Sequence, residues 1–490
     1  MSEIEHFDVI VVGAGISGIG AAVHLQRRCP TRRVVILEAR ASIGGTWDLF
    51  RYPGIRSDSD MYTLGFNFKP WTQAKAIADG PSILKYLDEA AREAGIHDRI
   101  RFGHRVIAAA WDSDTASWLV TIQHAENAVQ LRCNFLHMCS GYYNYAAGFT
   151  PEFAGRERFT GRIVHPQHWP AGLDYRGKRV VVIGSGATAM TLVPTMARDA
   201  GQVTMLQRSP TYVISRPAED RFANALKRLL PPMAAYGIVR WRNTFLHQMI
   251  FILARAWPGP VRKYLLARVR EQLGPGYDTA SHFTPRYDPW RQRLCLAPDG
   301  DLFAAIRSGR ANVVTDRIET FTETGIRLES GKELAADIVV TATGLNLLFL
   351  AGMAVTVDGR KVDFSRTLGY KGMMFSGVPN LSCVFGYTNS SWTLKADLEN
   401  DYLCRLLNHM QASGQPTVTP VADPGITPER WIDFSSGYFE RALGSFPKQG
   451  SKEPWKLHQN YFRDLRLFRF ARIADEALHF SQAGRAVDVR

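Results

Sequence analysis

The sequence predicts an α/β protein with two parallel-sheet nucleotide-binding units and a helical insertion in the second. Three observations carry this. A strand, glycine-rich turn, helix, strand device occurs at Asp8–Glu38 and again at Arg179–Gln207. Its opening strands, Val9-Ile10-Val11-Val12 and Val180-Val181-Val182-Ile183, are unbroken apolar runs, as strands buried on both faces of a parallel sheet require. Between about 216 and 288 the period becomes helical, as in Arg262–Val269, with prolines at 231, 232, 258 and 260 as punctuation.

Each unit has a glycine turn with a physical purpose. The first glycine permits the tight turn, the second lets the backbone approach a pyrophosphate, and the third lets helix and strand pack closely. The helix N-terminus then offers free N–H groups and a positive dipole end to the anion. In the first unit Gly13, Gly15, Ser17 and Gly18 form this cradle. Glu38 ends the second strand twenty residues after Gly18, where a carboxylate accepts hydrogen bonds from ribose hydroxyls. In the second unit the turn is Gly184-Ser185-Gly186-Ala187-Thr188-Ala189, and the next strand ends in Gln207-Arg208-Ser209 with no acid. Arg208 offers a planar fork suited to the 2′-phosphate of NADP, which an acid would repel. A solvated surface arginine would look the same in isolation. Together the units read as Rossmann-like domains for FAD (or NAD) first and NADPH second. Asp337–Gly344 reads as a buried strand ending in Ala-Thr-Gly; it is similar to a segment that flavoproteins with two dinucleotide folds carry where the chain returns toward the flavin, and taken alone it is any strand-to-turn exit.

The expected division is 1–145 with 345–490 for FAD, 150–215 with 289–344 for NADPH, and 216–288 for the insertion. A chain of 490 residues is long enough for this. Six cysteines without a C-x-x-C pair offer neither a zinc site nor a vicinal dithiol, and fit a reducing compartment. No metal is expected. The acidic start Ser2-Glu3-Ile4-Glu5 does not read as a signal peptide, and the greasy run Met249–Ala254 is too short to span a bilayer, so the cytoplasm is expected. The net charge of +13 suggests a nucleic acid, an anionic membrane or a phosphate-rich cofactor. No basic nucleic-acid motif appears, which sets nucleic acid aside. The excess is local: residues 221–270 hold ten Lys or Arg and no Asp or Glu. Trp241, Phe245, Phe251, Trp257 and Tyr264 interleave with these cations. That is the pattern of an interfacial helix on the inner face of a membrane, and equally that of a basic face over an ordinary core.

Two longer patterns carry a resemblance. Phe159–Pro170 reads F-x-G-x-x-x-H-x-x-x-W-P, and Gly45–Asp58 reads G-x-W-x-x-x-x-Y-P-G-x-x-x-D. Through these the chain resembles the type I Baeyer–Villiger flavin monooxygenases, and along nearly its full length it resembles their ethionamide-activating branch. The resemblance implies an FAD- and NADPH-dependent enzyme that uses O₂ to convert a ketone to an ester or lactone through a flavin C4a-peroxide. By position it places Gly44, Gly45, Thr46, Trp47, Asp48, Leu49 and Asp58 by the flavin, with Val106 on the strand that meets the adenine. Arg56 and Ser57 fall on the nicotinamide side. Arg293 matches the catalytic arginine, with Asp58 orienting it. Many relatives have Lys before that arginine. This chain has Gln292, so NADPH preference leans more on Arg208.

Plainer readings of the same residues stay open. Asp58 reads also as a helix N-cap before Met61-Tyr62, Arg293 as a surface ion pair, and His165 as a hydrogen-bonded linker residue. Three other functions compete. Oxygenation of a sulfur-containing substrate would use the same cofactors. A disulfide reductase needs a redox Cys pair after Gly-Gly-Thr, but Trp47 follows Thr46 and no C-x-x-x-x-C exists. A non-catalytic nucleotide sensor would bind flavin without consuming O₂.

Overall fold

The computed structural model describes residues 4–292, 294–433 and 436–484. β1 (His6–Val12) and β2 (Val34–Leu37), joined by α1 (Ile16–Arg28), are the predicted first unit. They pair in parallel, from Val9 opposite Val34 to Val12 opposite Leu37. The run is apolar throughout because both faces are covered. Val9, Val11 and Ile36 enter one core cluster, while Ile10, Val12, Val35 and Leu37 enter another on the opposite face.

The sheet continues with β3 (Ile100–Arg101), β4 (His104–Asp112), β5 (Ser117–His124) and β6 (Asn127–Met138). Its order is Arg360–Lys361, Ala354–Val357, β4, β5, β6, β1, β2, β3, with Leu381–Cys383 beside β6. Late segments of the chain therefore complete a sheet that early segments began.

The second sheet holds β7 (Arg162–Val164), β8 (Arg179–Ile183), β9 (Gln202–Gln207), β10 (Ala311–Thr315) and β11 (Ile338–Thr341). They run β10-β9-β8-β11-β7, all parallel, and α2 (Ala187–Met196) links β8 to β9. Two runs cross between the sheets, Tyr143–Gly148 going out and Leu345–Leu347 coming back, and they pair antiparallel as a ribbon.

The insertion is α3 (Arg221–Leu229), α4 (Pro232–Ala256), α5 (Pro258–Leu273) and α6 (Thr279–Phe283). Pro232 and Pro258 open their helices, where a missing N–H costs nothing. Not all of its cations face solvent. Arg240 donates to the carbonyls of Tyr62 (2.9 Å) and Gly65 (2.7 Å) and pairs with Asp397 at 2.8 Å. Asp397 lies on α7 (Trp392–Ser413), which packs along α1, so this guanidinium fastens the insertion to the first sheet's body. No described helix is long and apolar enough to cross a membrane.

Candidate active site

The first cradle has the tightness its motif requires. Gly13 has φ +105°, and a Cβ there would sit 2.7 Å from the Cys139 carbonyl oxygen. A Cβ on Gly18 would lie 1.8 Å from the Gly13 oxygen, so only glycine lets α1 pack this close to the turn. α1 begins at Gly15 with no side-chain cap, in contrast to α3, whose Asp220 accepts from Ala223 N–H. Its first-turn N–H groups are thus open to an anion. Glu38 is buried and braces the turn: its two carboxylate oxygens accept from the N–H groups of Ala14 (2.7 Å) and Arg40 (2.8 Å). Burial pushes its pKa up, against the pull of those donors. Each oxygen keeps a lone pair for a ribose hydroxyl. The Ser17 hydroxyl oxygen accepts from the Trp392 indole at 2.7 Å, leaving its own O–H to donate.

The second cradle repeats the geometry. Gly184 has φ +134°, and a Cβ there would stand 2.3 Å from the Ala342 oxygen. Gly186 starts α2 uncapped, and no atom lies within 4 Å of where its Cβ would be. Ala187 and Thr188 follow in the first turn. Ala189, in the third-glycine position, is fully buried in the core under β8, so it packs rather than faces the turn. The Ser185 hydroxyl reaches the Ser209 carbonyl (3.2 Å) and the Thr211 hydroxyl (3.0 Å), tying the turn to the end of β9. Arg208 is exposed there, with no ion-pair partner among the described residues.

The run Gly45–Asp58 joins the two cradles. A Cβ on Gly45 (φ +56°) would lie 3.1 Å from the Gly15 Cα, so the Gly44-Gly45-Thr46-Trp47 segment abuts the first turn. Thr46–Leu49 is one helical turn on which Trp47 packs against the first body's core. Asp48 is buried and bound to Arg40 (2.5 Å) and Arg51. Burial raises its pKa, but hydrogen bonds from Arg40 and Ser42 and the charges of Arg40 and Arg51 outweigh this and hold it below the usual carboxylate value. Leu49, Phe50 and Tyr52 then enter the core of the second sheet. Gly54 packs against Thr195 of α2, where a Cβ would meet the Thr195 hydroxyl at 2.1 Å. The run ends with Arg56 paired to Asp301 at 2.5 Å, and with Ser57 buried, its N–H donating to the Ala78 carbonyl at 3.0 Å.

Asp58 opens onto a cavity of about 730 Å³. Its wall combines Asp58 and Asp60, the 388–391 loop, α4 residues such as Asn243, His247 and Phe251, and Trp290, Gln292 and Leu294. Gln292 and Leu294 flank Arg293, which lies outside the described residues. The helix cap predicted as an alternative role for Asp58 belongs to Asp60, which accepts from the Tyr62 (3.0 Å) and Thr63 (3.1 Å) N–H groups. Asp60 also accepts from the Asn243 amide at 3.1 Å, which anchors α4 at the cavity. Val106 is buried in β4 opposite Ile122, beside a β-bulge at Ile107. His165 clamps the ribbon between the sheets. Its Nε2 is 3.3 Å from the Gly344 oxygen, its Nδ1 accepts from Gln167 N–H, and its ring fills the space beside Gly148.

The family described as "Flavin-binding monooxygenase-like" matches residues 76–368, and a "NAD(P)-binding Rossmann-like domain" matches residues 11–79. The chain belongs to the flavin-binding monooxygenase-like family. This flavin-binding monooxygenase is 55% identical over 489 residues to the FAD-containing monooxygenase EthA of Mycobacterium tuberculosis, covering 99% of this chain and 100% of that one. It is 49% identical to the probable FAD-binding monooxygenase AlmA of Acinetobacter baylyi, covering 99% and 98%. Its fold matches an oxidized steroid monooxygenase bound to NADP with a TM-score of 0.78 at 22% identity, over 97% and 100% of the chains. A closed cyclohexanone monooxygenase matches at 0.71 and 21%, over 86% and 87%.

Several contributors to this monooxygenase's site lay beyond sequence reading. Trp392 reaches Ser17 from 375 residues away. Asp301, the partner of Arg56, belongs to a segment with no motif of its own, and the 388–391 wall of the cavity carried no assigned role. Their proximity is a product of the chain's return to the first sheet.

Proposed function

We propose that this protein is an FAD- and NADPH-dependent monooxygenase of Baeyer–Villiger type, which converts ketones to esters or lactones. One observation carries the reading: the run from Gly45 to Asp58 touches the first cradle, threads the second body's core, rests on the second cradle's helix and ends in the cavity. An enzyme that couples two nucleotides to one substrate needs such a junction.

The tight turns at Gly13–Gly18 and Gly184–Ala189 fit two pyrophosphates, and the uncapped helix ends supply the N–H groups to hold them. FAD belongs in the first cradle, with Glu38 on its ribose, and NADPH in the second, with Arg208 on its 2′-phosphate. The bound flavin, reduced by the nicotinamide, supplies the activation of O₂. The chain's own residues do the rest. Ile77, Ile214, Leu246, Ile250, Phe251 and Leu294 give the cavity an apolar wall that keeps water off the reacting atoms. Arg293 carries a guanidinium that stays charged at any working pH and stabilises the negative charge developing on the substrate's carbonyl oxygen. Asp58 orients it.

Aerobic NADPH consumption across a ketone panel, with mass spectrometry of the products, tests the reaction. A sulfide in the same panel separates ketone from sulfur oxygenation. Arg293→Ala is expected to keep NADPH oxidation, lose ester formation by roughly a hundredfold or more, and release H₂O₂. Ester formation at the parent rate in that variant would remove Arg293 from the mechanism.

A further inference from the structure

We propose that the outer face of α4 and α5 docks on an anionic lipid bilayer. An α-helix on the surface of a globular protein ordinarily turns polar residues outward. α4 does the opposite along one stripe: Ile238, Trp241, Phe245 and Ile252 recur at intervals of three, four and seven residues, and are 47%, 50%, 52% and 42% exposed. The stripe does not end with the helix. Phe462 lies against Phe245 with ring centroids 6.3 Å apart, and Tyr461 lies 5.9 Å from Trp241. Trp257, at the turn between α4 and α5, and Tyr264 on α5 are also well exposed. Contiguous exposed apolar surface of this kind marks an interaction site.

Charge selects the occupant. Residues 221–270, which take in α3, α4 and all but the last three residues of α5, contain ten Lys or Arg and no acid. Some cations there are neutralised, Arg255 by Asp433 and Arg268 by Glu271 in the last turn of α5. Arg228, Lys263 and Arg270 are exposed with no carboxylate partner among the described residues. A second copy of this chain would bring the same cations face to face, and a neutral apolar partner would leave them unused. An anionic bilayer satisfies both features, taking the aromatic side chains into its interface and the cations onto its headgroups. Since no described helix can cross a membrane, the face lies on the bilayer rather than in it.

Phe222 and Leu246 line the cavity and are 47% and 46% exposed, so the cavity has apolar residues at the protein surface. If the oxygenase reading holds, its substrates are apolar molecules dissolved in the lipid phase. Docking itself does not depend on that reading.

Flotation of the flavin-loaded protein with vesicles tests the proposal. The vesicles are pure phosphatidylcholine, or equal parts phosphatidylcholine and phosphatidylglycerol. The protein is expected to float with the anionic vesicles at low salt and to come off at high salt. Trp241→Ser/Phe245→Ser and Lys263→Glu/Arg270→Glu alter only exposed side chains away from the cavity. Each is expected to keep flavin absorbance while losing roughly tenfold or more in vesicle partitioning; the charge variant should keep Tm, and the aromatic variant should lower it only by the lost contacts with Tyr461 and Phe462. Absence of flotation at low salt, or unchanged flotation of the Trp241/Phe245 variant, overturns the proposal. So does a concentration-dependent dimer in light scattering that the Trp241/Phe245 variant abolishes without vesicle binding by the parent. Turnover of a water-soluble ketone without vesicles is unaffected by any of these results, so the oxygenase reading stands or falls separately.

Discussion

Gly184 and Gly186 share a side chain for opposite reasons. At Gly184 a Cβ would collide with the Ala342 backbone and meet a φ of +134°, so Gly184→Ala is expected to cost about 1–3 kcal/mol in stability. At Gly186 the backbone is ordinary and the space open. Gly186→Ala is expected to leave Tm nearly unchanged, within about 0.5 kcal/mol. It should nevertheless raise the KM for NADPH by roughly tenfold, because the methyl occupies room needed by the pyrophosphate. Differential scanning fluorimetry with NADPH titration separates the two. The motif announces both glycines in the sequence but not which is structural, because that depends on a carbonyl more than 150 residues away.

The aspartates two residues apart divide in the same way. Asp60 is buried, caps the short Met61–Leu64 helix and holds Asn243. Asp60→Ala is expected to destabilise by about 1–2 kcal/mol, measured by urea unfolding, through loss of the cap. Asp58 stands in the cavity wall, and Asp58→Ala is expected to act on oxygenation rather than on Tm. The sequence reading offered the cap to Asp58, and the structure gives it to Asp60 in a run, Ser57-Asp58-Ser59-Asp60, of four capping residues. Backbone direction alone chose among them.

At the scale of elements, periodicity located the parts well. The expected strands Val34–Leu37 and Val180–Ile183 and the helices after both glycine turns stand within a few residues of their positions, since buried parallel strands and amphipathic helices write their period into the chain. What the period did not show is polar burial. α1 reads as a plain helix, yet its His24 is buried between Asp397 (3.5 Å) and Asp401 (3.0 Å) of α7. Burial alone would depress its pKa, but the two carboxylates outweigh this and raise it to about 9. A histidine with a raised folded-state pKa contributes its full stability below the unfolded value of 6.5 and loses it as pH climbs through about 9. Tm is therefore expected to fall between these limits. In His24→Gln this part of the profile should flatten, a difference of order 3 kcal/mol between the ends. A pH slope identical in both proteins would contradict the pairing.

For the whole molecule, the six cysteines are all buried and unbridged. Native protein is expected to react with a thiol reagent only as it unfolds, then to yield six thiols per chain, with Tm indifferent to reductant. Rapid labelling of folded protein would show that these segments open. The cavity is likewise a property of the whole, since its wall draws on separate segments between Asp58 and Gln459.

By itself the sequence located two glycine turns, each between a buried strand and a helix, and the basic helices that follow the second. Those features are local: a glycine turn between a buried strand and a helix depends on neighbours within about thirty residues. Only the tertiary structure decided which residues share the cavity and which face of α4 stays bare. Both follow from how the chain leaves the first sheet at Tyr143–Gly148 and returns at Leu345–Leu347. Contacts made across that loop have no spacing in the sequence to betray them.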